Sequence, residues 1–329
     1  MTLVRSVEIV GQVTGAAPPN HTDTRYAVHG TDLGILWDDG AGGVLCAFGD
    51  TYGDGWAPPG TGSKTADWRF NTLARSTTRD LGAGLVLDEM VTDWPGHAAE
   101  IIPRAGRFWE RTVIPTGGIA VDGRQYLHYM SVLWWLVPGR WISNHGGIAT
   151  SDDGGRTWVR DPAVRWRNFL GCRPMQMGSF ARTARWVYFF HTRNGRHGPV
   201  FLARVDPAEV GDPRGYTYWT GTGWAPRLRR SAPVASGPAG EISVALHTGL
   251  RRWLMVQFRE TERRIVLRTA PRPTGPWTDG ETLVSGGRHP GLYGGYLHPW
   301  YLDGDEIYLT MSLWHPYAVY LVRAVLDRS

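Results

Sequence analysis

Two aspartates in the first part of the chain are the residues best placed, by type and spacing, to do chemistry. They stand in His29-Gly-Thr-Asp-Leu-Gly-Ile-Leu-Trp37 and Val44-Leu-Cys-Ala-Phe-Gly-Asp-Thr-Tyr52, strand-like runs flanking the turn Asp38-Asp-Gly-Ala-Gly-Gly43. Counted from Ala41 in mid-turn, Asp32 lies nine residues before and Asp50 nine after. An antiparallel hairpin sets such positions opposite each other at its open end, give or take a residue or two of register. Facing carboxyl groups repel, so one pKa rises while the other falls. A proton donor beside an ionised carboxylate is what glycoside hydrolysis requires. The competing reading is that both aspartates cap turns or hold a structural cation. Gly30, Gly34, Gly49 and Gly53 flank the pair and are expected to keep its approach open for a bulky substrate.

The elements that must position this pair repeat along the chain. An apolar-aromatic strand recurs as Val44–Phe48, Tyr126–Val132, Trp186–Thr192, Trp253–Phe258 and Ile307–Ser312, the later copies starting about 60 residues apart, a blade-sized period. Each later copy follows a turn and another strand, and the Asp-Gly pairs in Ile119–Gln125 and Tyr301–Glu306 are hairpin signals. Five sheets that cannot bury both faces alone predict radial packing: an all-β, five-bladed β-propeller, read as one domain over residues 1–329. The alternating stretch Leu3–Val13 is expected to close the last blade. Ser151-Asp-Asp-Gly-Gly-Arg-Thr-Trp158 matches the Asp-box turn S-x-D-x-G-x-T-W, and Pro273–Trp277 resembles an outer-blade turn of the same kind. Both read as structural.

Composition bounds the alternatives. The chain has 329 residues, net charge +5, 43 glycines and 17 tryptophans, which suits many short strands joined by tight turns. Lys64 is the sole lysine. An arginine bias of this kind points to a GC-rich coding genome rather than to a polyanion surface. The short runs Arg227–Arg230, Arg251-Arg252 and Arg263-Arg264 read as solvated strand ends, so no nucleic-acid partner is expected. Cys46 lies in an apolar strand and Cys172 in a loop; the two are too far apart in sequence to indicate a redox compartment. Neither a signal peptide nor a membrane-spanning segment is visible, so no membrane insertion is expected. No cofactor is called for. No metal cluster stands out, His21, Asp23 and His29 being the weak exception, and no G-x-S-x-G elbow is present.

Other residues suit a sugar site. Glu241 opens Glu241–His247 after a Gly-rich turn, where an inner blade strand would begin. It reads as a solvated strand end, as a substrate contact or as a group that holds a neighbour's pKa. Glu100, in His97–Pro103, is a similar channel candidate. His298 sits among glycines and aromatics in Tyr293–Trp300, and reads equally as a sugar contact or as an ordinary hydrogen-bonded histidine. Most tryptophans must pack between blades; Trp134, Trp135 and Trp141 are better placed as sugar platforms, since exposed aromatic faces stack on apolar ring surface.

Asn20–Gly34, Phe48–Tyr52 and Trp68-Arg-Phe-Asn-Thr-Leu-Ala-Arg-Ser76, in that order and spacing, resemble the DUF4185 family. The likeness is clearest over the first hundred residues. It implies a five-bladed propeller glycoside hydrolase with an axial active site, an endo-D-arabinanase acting on mycobacterial arabinogalactan and lipoarabinomannan. It places the essential aspartates at Asp32 and Asp50 and brings Trp68 and Asn71 into substrate reach. It further implies an inverting mechanism, with Asp32 as base and Asp50 as acid or the two exchanged. The partner expected is thus a D-arabinan polysaccharide, met outside the cell at an envelope, by a trimmed or phage-borne protein. The alternatives are a non-catalytic glycan-binding propeller, such as a phage adhesion module, and a sialidase-type glycosidase.

Overall fold

A computed structural model describes residues 2–63, 65–106, 108–168 and 171–327. The protein is nearly all β and forms five blades. In the first, Leu33–Asp38, Val44–Phe48, Thr72–Ser76 and Glu89–Met90 pair in that order from the axis outward. The second runs Thr112–Val121, Arg124–Trp135, Trp141–Ser151 and Val159–Arg167. The third is built on Met177–Arg182, Val187–Thr192, Gly198–Val205 and Thr217–Trp219, and the fourth on Ile242–His247, Arg252–Arg259, Arg264–Ala270 and Glu281–Ser285. The fifth combines Leu292–Leu297, Glu306–Leu313 and Ala318–Leu326 with the N-terminal strand Val4–Gln12.

Each innermost strand touches the next blade's, and the fifth returns to the first, so the sheets form a closed ring. The N-terminal strand locks it, pairing antiparallel with the last strand from Val4↔Leu326 to Gln12↔Tyr320. Every blade's second strand is one of the five recurrent apolar-aromatic segments. Such a strand has a neighbour on each side and blades against both faces, so it reads as a continuous apolar run rather than an alternating one. Tyr129, Phe189, Phe190, Phe258 and Leu45 of these strands are among the largest fully buried side chains.

The Asp-box joins the two outer strands of the second blade. Asp153 accepts from Thr157 N at 2.9 Å and Thr157 Oγ1 at 2.6 Å, while Ser151 Oγ accepts from Gly155 N at 2.9 Å. Trp158 packs on the core and donates its indole N–H to Gly155 O. In the turn at Pro273–Trp277, Trp277 likewise packs on the core of the third and fourth blades. No helix among the described residues is long and apolar enough to cross a membrane.

Candidate active site

The innermost strands all start at one face of the ring, and the residues at or just before those starts meet around its mouth: Asp32, Thr112, Glu241 and Tyr293. The first-blade hairpin pairs Asp38↔Val44 through Ile35↔Ala47, a register that would set Asp32 opposite Asp50 if continued. It is not continued. A bulge between Leu33 and Ile35 shifts the pairing to Leu33↔Phe48, and Gly49 N donates to Asp32 O at 3.2 Å. Leu33 (φ 70°) and Gly34 (φ 77°) both take left-handed backbone here, and such bulges re-aim side chains beside functional sites. Asp32 therefore faces Gly49. A Cβ on Gly49 would lie 2.3 Å from Asp32 Oδ1, so only glycine leaves room for the carboxyl group.

The bulge sends the two carboxyl groups to opposite neighbours. Asp32 Oδ2 accepts from the Tyr293 hydroxyl of the fifth blade at 2.9 Å. Asp50 Oδ1 accepts from the Thr112 hydroxyl of the second blade at 2.6 Å and from Trp68 Nε1 at 2.9 Å. Asp32 Oδ1 is buried without a hydrogen-bond partner.

This asymmetry separates their acidities. Burial, then the charge of Asp50, pushes Asp32 up to about 8. The Tyr293 hydrogen bond and Arg196 pull against that rise, and Glu241 adds to it. Burial also raises Asp50, but only to about 6, because the Thr112 and Trp68 hydrogen bonds and the Arg111 charge favour its ionised form. At neutral pH Asp32 holds the proton and Asp50 carries the charge. The electrostatics thus favour Asp32 as acid and Asp50 as base, the exchanged form of the first assignment.

Glu241 belongs to this site. Its Oε1 accepts from Arg196 Nη2 at 2.7 Å and Nε at 3.0 Å, and Arg196 also binds Glu260 at 2.9 Å. The partly buried guanidinium lies 5.1 Å from the centre of the Tyr293 ring, so the pair reaches Asp32 through both charge and Tyr293. Glu241 Oε2 is buried and unpartnered. Trp68 is a positioning residue for Asp50, its ring parallel to Tyr52 at 5.9 Å and under the Arg111 guanidinium at 5.2 Å. Glu100, half-buried, accepts from Phe70 N at 3.0 Å and contributes repulsion at Asp50.

Three of the expected residues do not face the site. Asn71 is fully buried, and its amide bonds Ile102 O, Val113 O and Ile102 N at 2.7–2.9 Å. It ties the first blade to the second and has no group left for substrate. His298 lies at the far end of the inner strand that begins beside Tyr293, so it is on the opposite face of the ring. It is buried against Trp300 and Tyr301, and burial lowers it to about 4. Trp141 is buried edge-on to Trp135, whereas Trp134 and Trp135 are exposed. The glycines do not open the approach either. Trp56 packs at Gly30, Val319 at Gly34 and Asp67 at Gly53.

Thr112, Tyr293, Arg111 and Arg196 were not singled out from sequence. The first two occupy the same place in the blade frame as Glu241, at the start of an inner strand. Phasing the inner strands from the recurrent second strands would have found them. Among the described residues no group of three or more His, Cys, Asp or Glu side chains is placed to hold a metal ion. Cys46 is buried and Cys172 exposed.

Residues 17–323 match the profile of DUF4185, a domain of unknown function. The chain belongs to the DUF4185 family. The notoamide biosynthesis cluster protein J of Aspergillus sp. (strain MF297-2) is 32% identical over 310 residues, covering 88% of this DUF4185 chain and 81% of that protein. Its counterpart J′ of Aspergillus versicolor is also 32% identical, over 308 residues. Among solved structures, a putative hydrolase from Bacteroides ovatus superposes with a TM-score of 0.63 at 13% identity, over 92% of this chain and 87% of that one. An exo-β-1,3-galactanase from Phanerochaete chrysosporium gives 0.61 at 11% identity, over 99% of this chain and 65% of that one. A family 117 glycoside hydrolase from Zobellia galactanivorans gives 0.57 at 12% identity, over 99% and 92%. The DUF4185 chain thus has the propeller fold of glycoside hydrolases.

Proposed function

We propose that this protein is a glycoside hydrolase that cleaves D-arabinan internally with inversion, Asp32 serving as acid and Asp50 as base. The observation that carries the reading is the unequal pair at the mouth of the ring: Asp32 accepts one hydrogen bond, from Tyr293, and leaves Oδ1 unpartnered, while Asp50 accepts from both Thr112 and Trp68, which favours charge on Asp50 and the proton on Asp32. In the proposed step Asp32 gives its proton to the glycosidic oxygen, and the bond to the anomeric carbon breaks with its electrons going to that oxygen. Asp50 takes a proton from a water molecule, whose oxygen bonds the anomeric carbon from the opposite side. The products are an alcohol and a hemiacetal of inverted configuration. Thr112 and Trp68 keep Asp50 ionised for this role, Glu241 helps to hold the proton on Asp32, and the Tyr293 hydroxyl positions the Asp32 carboxyl group.

The substrate class rests on the family resemblance of the first-blade segments, with the galactanase and family 117 fold as the wider setting. A polysaccharide of the cell envelope places the work outside the cell. A glycan-binding propeller without catalysis would need stacking and hydrogen-bonding groups, and burying two repelling acids would only weaken its fold. The test is to incubate the protein separately with arabinogalactan and with sialosides and to follow products by NMR. The reading expects arabinan fragments whose first-formed reducing ends have inverted configuration. Release of sialic acid alone, or arabinan left intact, overturns it.

A further inference from the structure

The mouth of the ring is flanked on both sides by exposed aromatic rings that the acid pair does not use. On the fifth-blade side Trp314 is 41% exposed, and its ring meets that of Tyr293 at 6.4 Å. Since Tyr293 bonds Asp32, Trp314 stands one ring away from the proposed acid. On the second-blade side a hairpin rises past the start of the inner strand, pairing Trp134 with Ile142 and Trp135 with Trp141 beyond Thr112↔Val132. The segment carrying Phe108 and Trp109 runs beside it. Arg111 N donates to Val132 O at 2.6 Å, and Asn144 Nδ2 donates to Trp109 O at 2.5 Å. Phe108 is 88% exposed, and Trp109 and Trp134 are each 65% exposed.

Phe108, Trp109 and Trp134 are left largely uncovered, whereas Trp314 packs against Gly60 and edge-on to Tyr317 and is only partly open. The Phe108 and Trp109 rings lie 6.2 Å apart, and large exposed apolar rings grouped on one face mark a binding surface. The second-blade group is continuous with the proposed base: Asp50 accepts from Trp68, Trp68 lies under Arg111, and Arg111 is two residues from Trp109. Flat rings in this number suit the apolar faces of successive sugar units better than a single small ligand.

We infer that one arabinan chain crosses the mouth of the ring, held on one side by Trp314 and on the other by Phe108, Trp109 and Trp134, with the acid pair between. The inference rests on the reading of Asp32 and Asp50 as a glycan-cleaving pair. It explains why cutting would be internal, since both ends of the chain are gripped beyond the scissile bond. It also defines at least one distal sugar-binding position on each flank.

Binding is measured so that it does not depend on turnover. In an Asp50→Asn background, Trp314→Ala and the triple variant Phe108→Ala/Trp109→Ala/Trp134→Ala are titrated with soluble D-arabinan and with a trisaccharide of arabinofuranose. Each platform removed is expected to weaken polymer binding about tenfold, from the usual worth of an aromatic stacking contact. Trisaccharide binding, confined to the centre, is expected to stay within about twofold of the Asp50→Asn parent. Unchanged polymer affinity in both variants overturns the inference. So does absence of polymer binding by the Asp50→Asn protein. A wild-type dimer in light scattering that the triple variant dissolves also overturns it, because the second-blade rings would then be covered by another copy. Should Trp314→Ala fail to fold, the triple variant, whose rings are mostly exposed, decides alone. Wild-type protein that never cleaves arabinan, in the presence of platform-dependent binding, sinks the hydrolase reading and leaves this one standing.

Discussion

Replacing Asp32 by Asn should make the protein more stable at neutral pH and leave it nearly unchanged at pH 4. A carboxyl group whose folded pKa is raised contributes most to stability while it is protonated in both states. That contribution is lost as pH rises toward the folded pKa, because the unfolded chain releases its proton first. For Asp32, raised from an ordinary value near 3.8 to about 8, linkage gives a folding penalty of about 4 kcal/mol at pH 7 and about 0.5 kcal/mol at pH 4. Water at the mouth of the ring screens part of this, so about 2 kcal/mol is expected from the substitution. In a chain of this length that corresponds to about 3 °C in Tm. Asn keeps an acceptor for Tyr293 and removes only the ionisation. Thermal unfolding of both proteins across pH 4–8 measures the effect. The gap in Tm should widen steadily with pH. A gap independent of pH, or a variant less stable than wild type at pH 7, would falsify the burial and charge argument for Asp32.

Thr112→Val removes a hydrogen bond that favours ionised Asp50. The acidic limb of the kcat/KM profile should therefore move up by about half a pH unit to one unit, and an unmoved limb would contradict the role given to Asp50. Glu241→Gln takes away a charge that raises Asp32, so the alkaline limb should move down, while loss of activity with both limbs unmoved would point to a purely structural role. Asn71→Ala strips three buried hydrogen bonds and should lower stability by about 3 kcal/mol in denaturant titration. Folded protein at low temperature should keep its KM, and a raised KM would return Asn71 to the substrate.

The five blades were legible because the second strand of each is enclosed on all sides and so stays apolar through every repeat. The closing strand was legible from its alternation. The nearness of Asp32 and Asp50 was legible to within one residue of register, because a short hairpin brings the two sides of its open end together. The bulge at Leu33–Gly34 was not, since it depends on left-handed backbone at a leucine that single-residue propensity argues against. Nor were the groups that tune the pair, which arrive from other blades: Thr112 is 62 positions from Asp50, and Tyr293 is 261 from Asp32. His298 misled because a Gly- and Tyr-rich setting looks alike at either end of an inner strand, and only the strand's direction decides the face. Asn71 misled because a buried amide that satisfies backbone groups and one that binds sugar have the same neighbours in sequence.

The most direct test of the central claim is the digestion of purified D-arabinan by the wild-type protein, Asp32→Asn and Asp50→Asn, each verified as folded, with released fragments separated by size. The account predicts oligosaccharides of several lengths from the wild type and essentially none from either variant. Undiminished release by Asp50→Asn would contradict it.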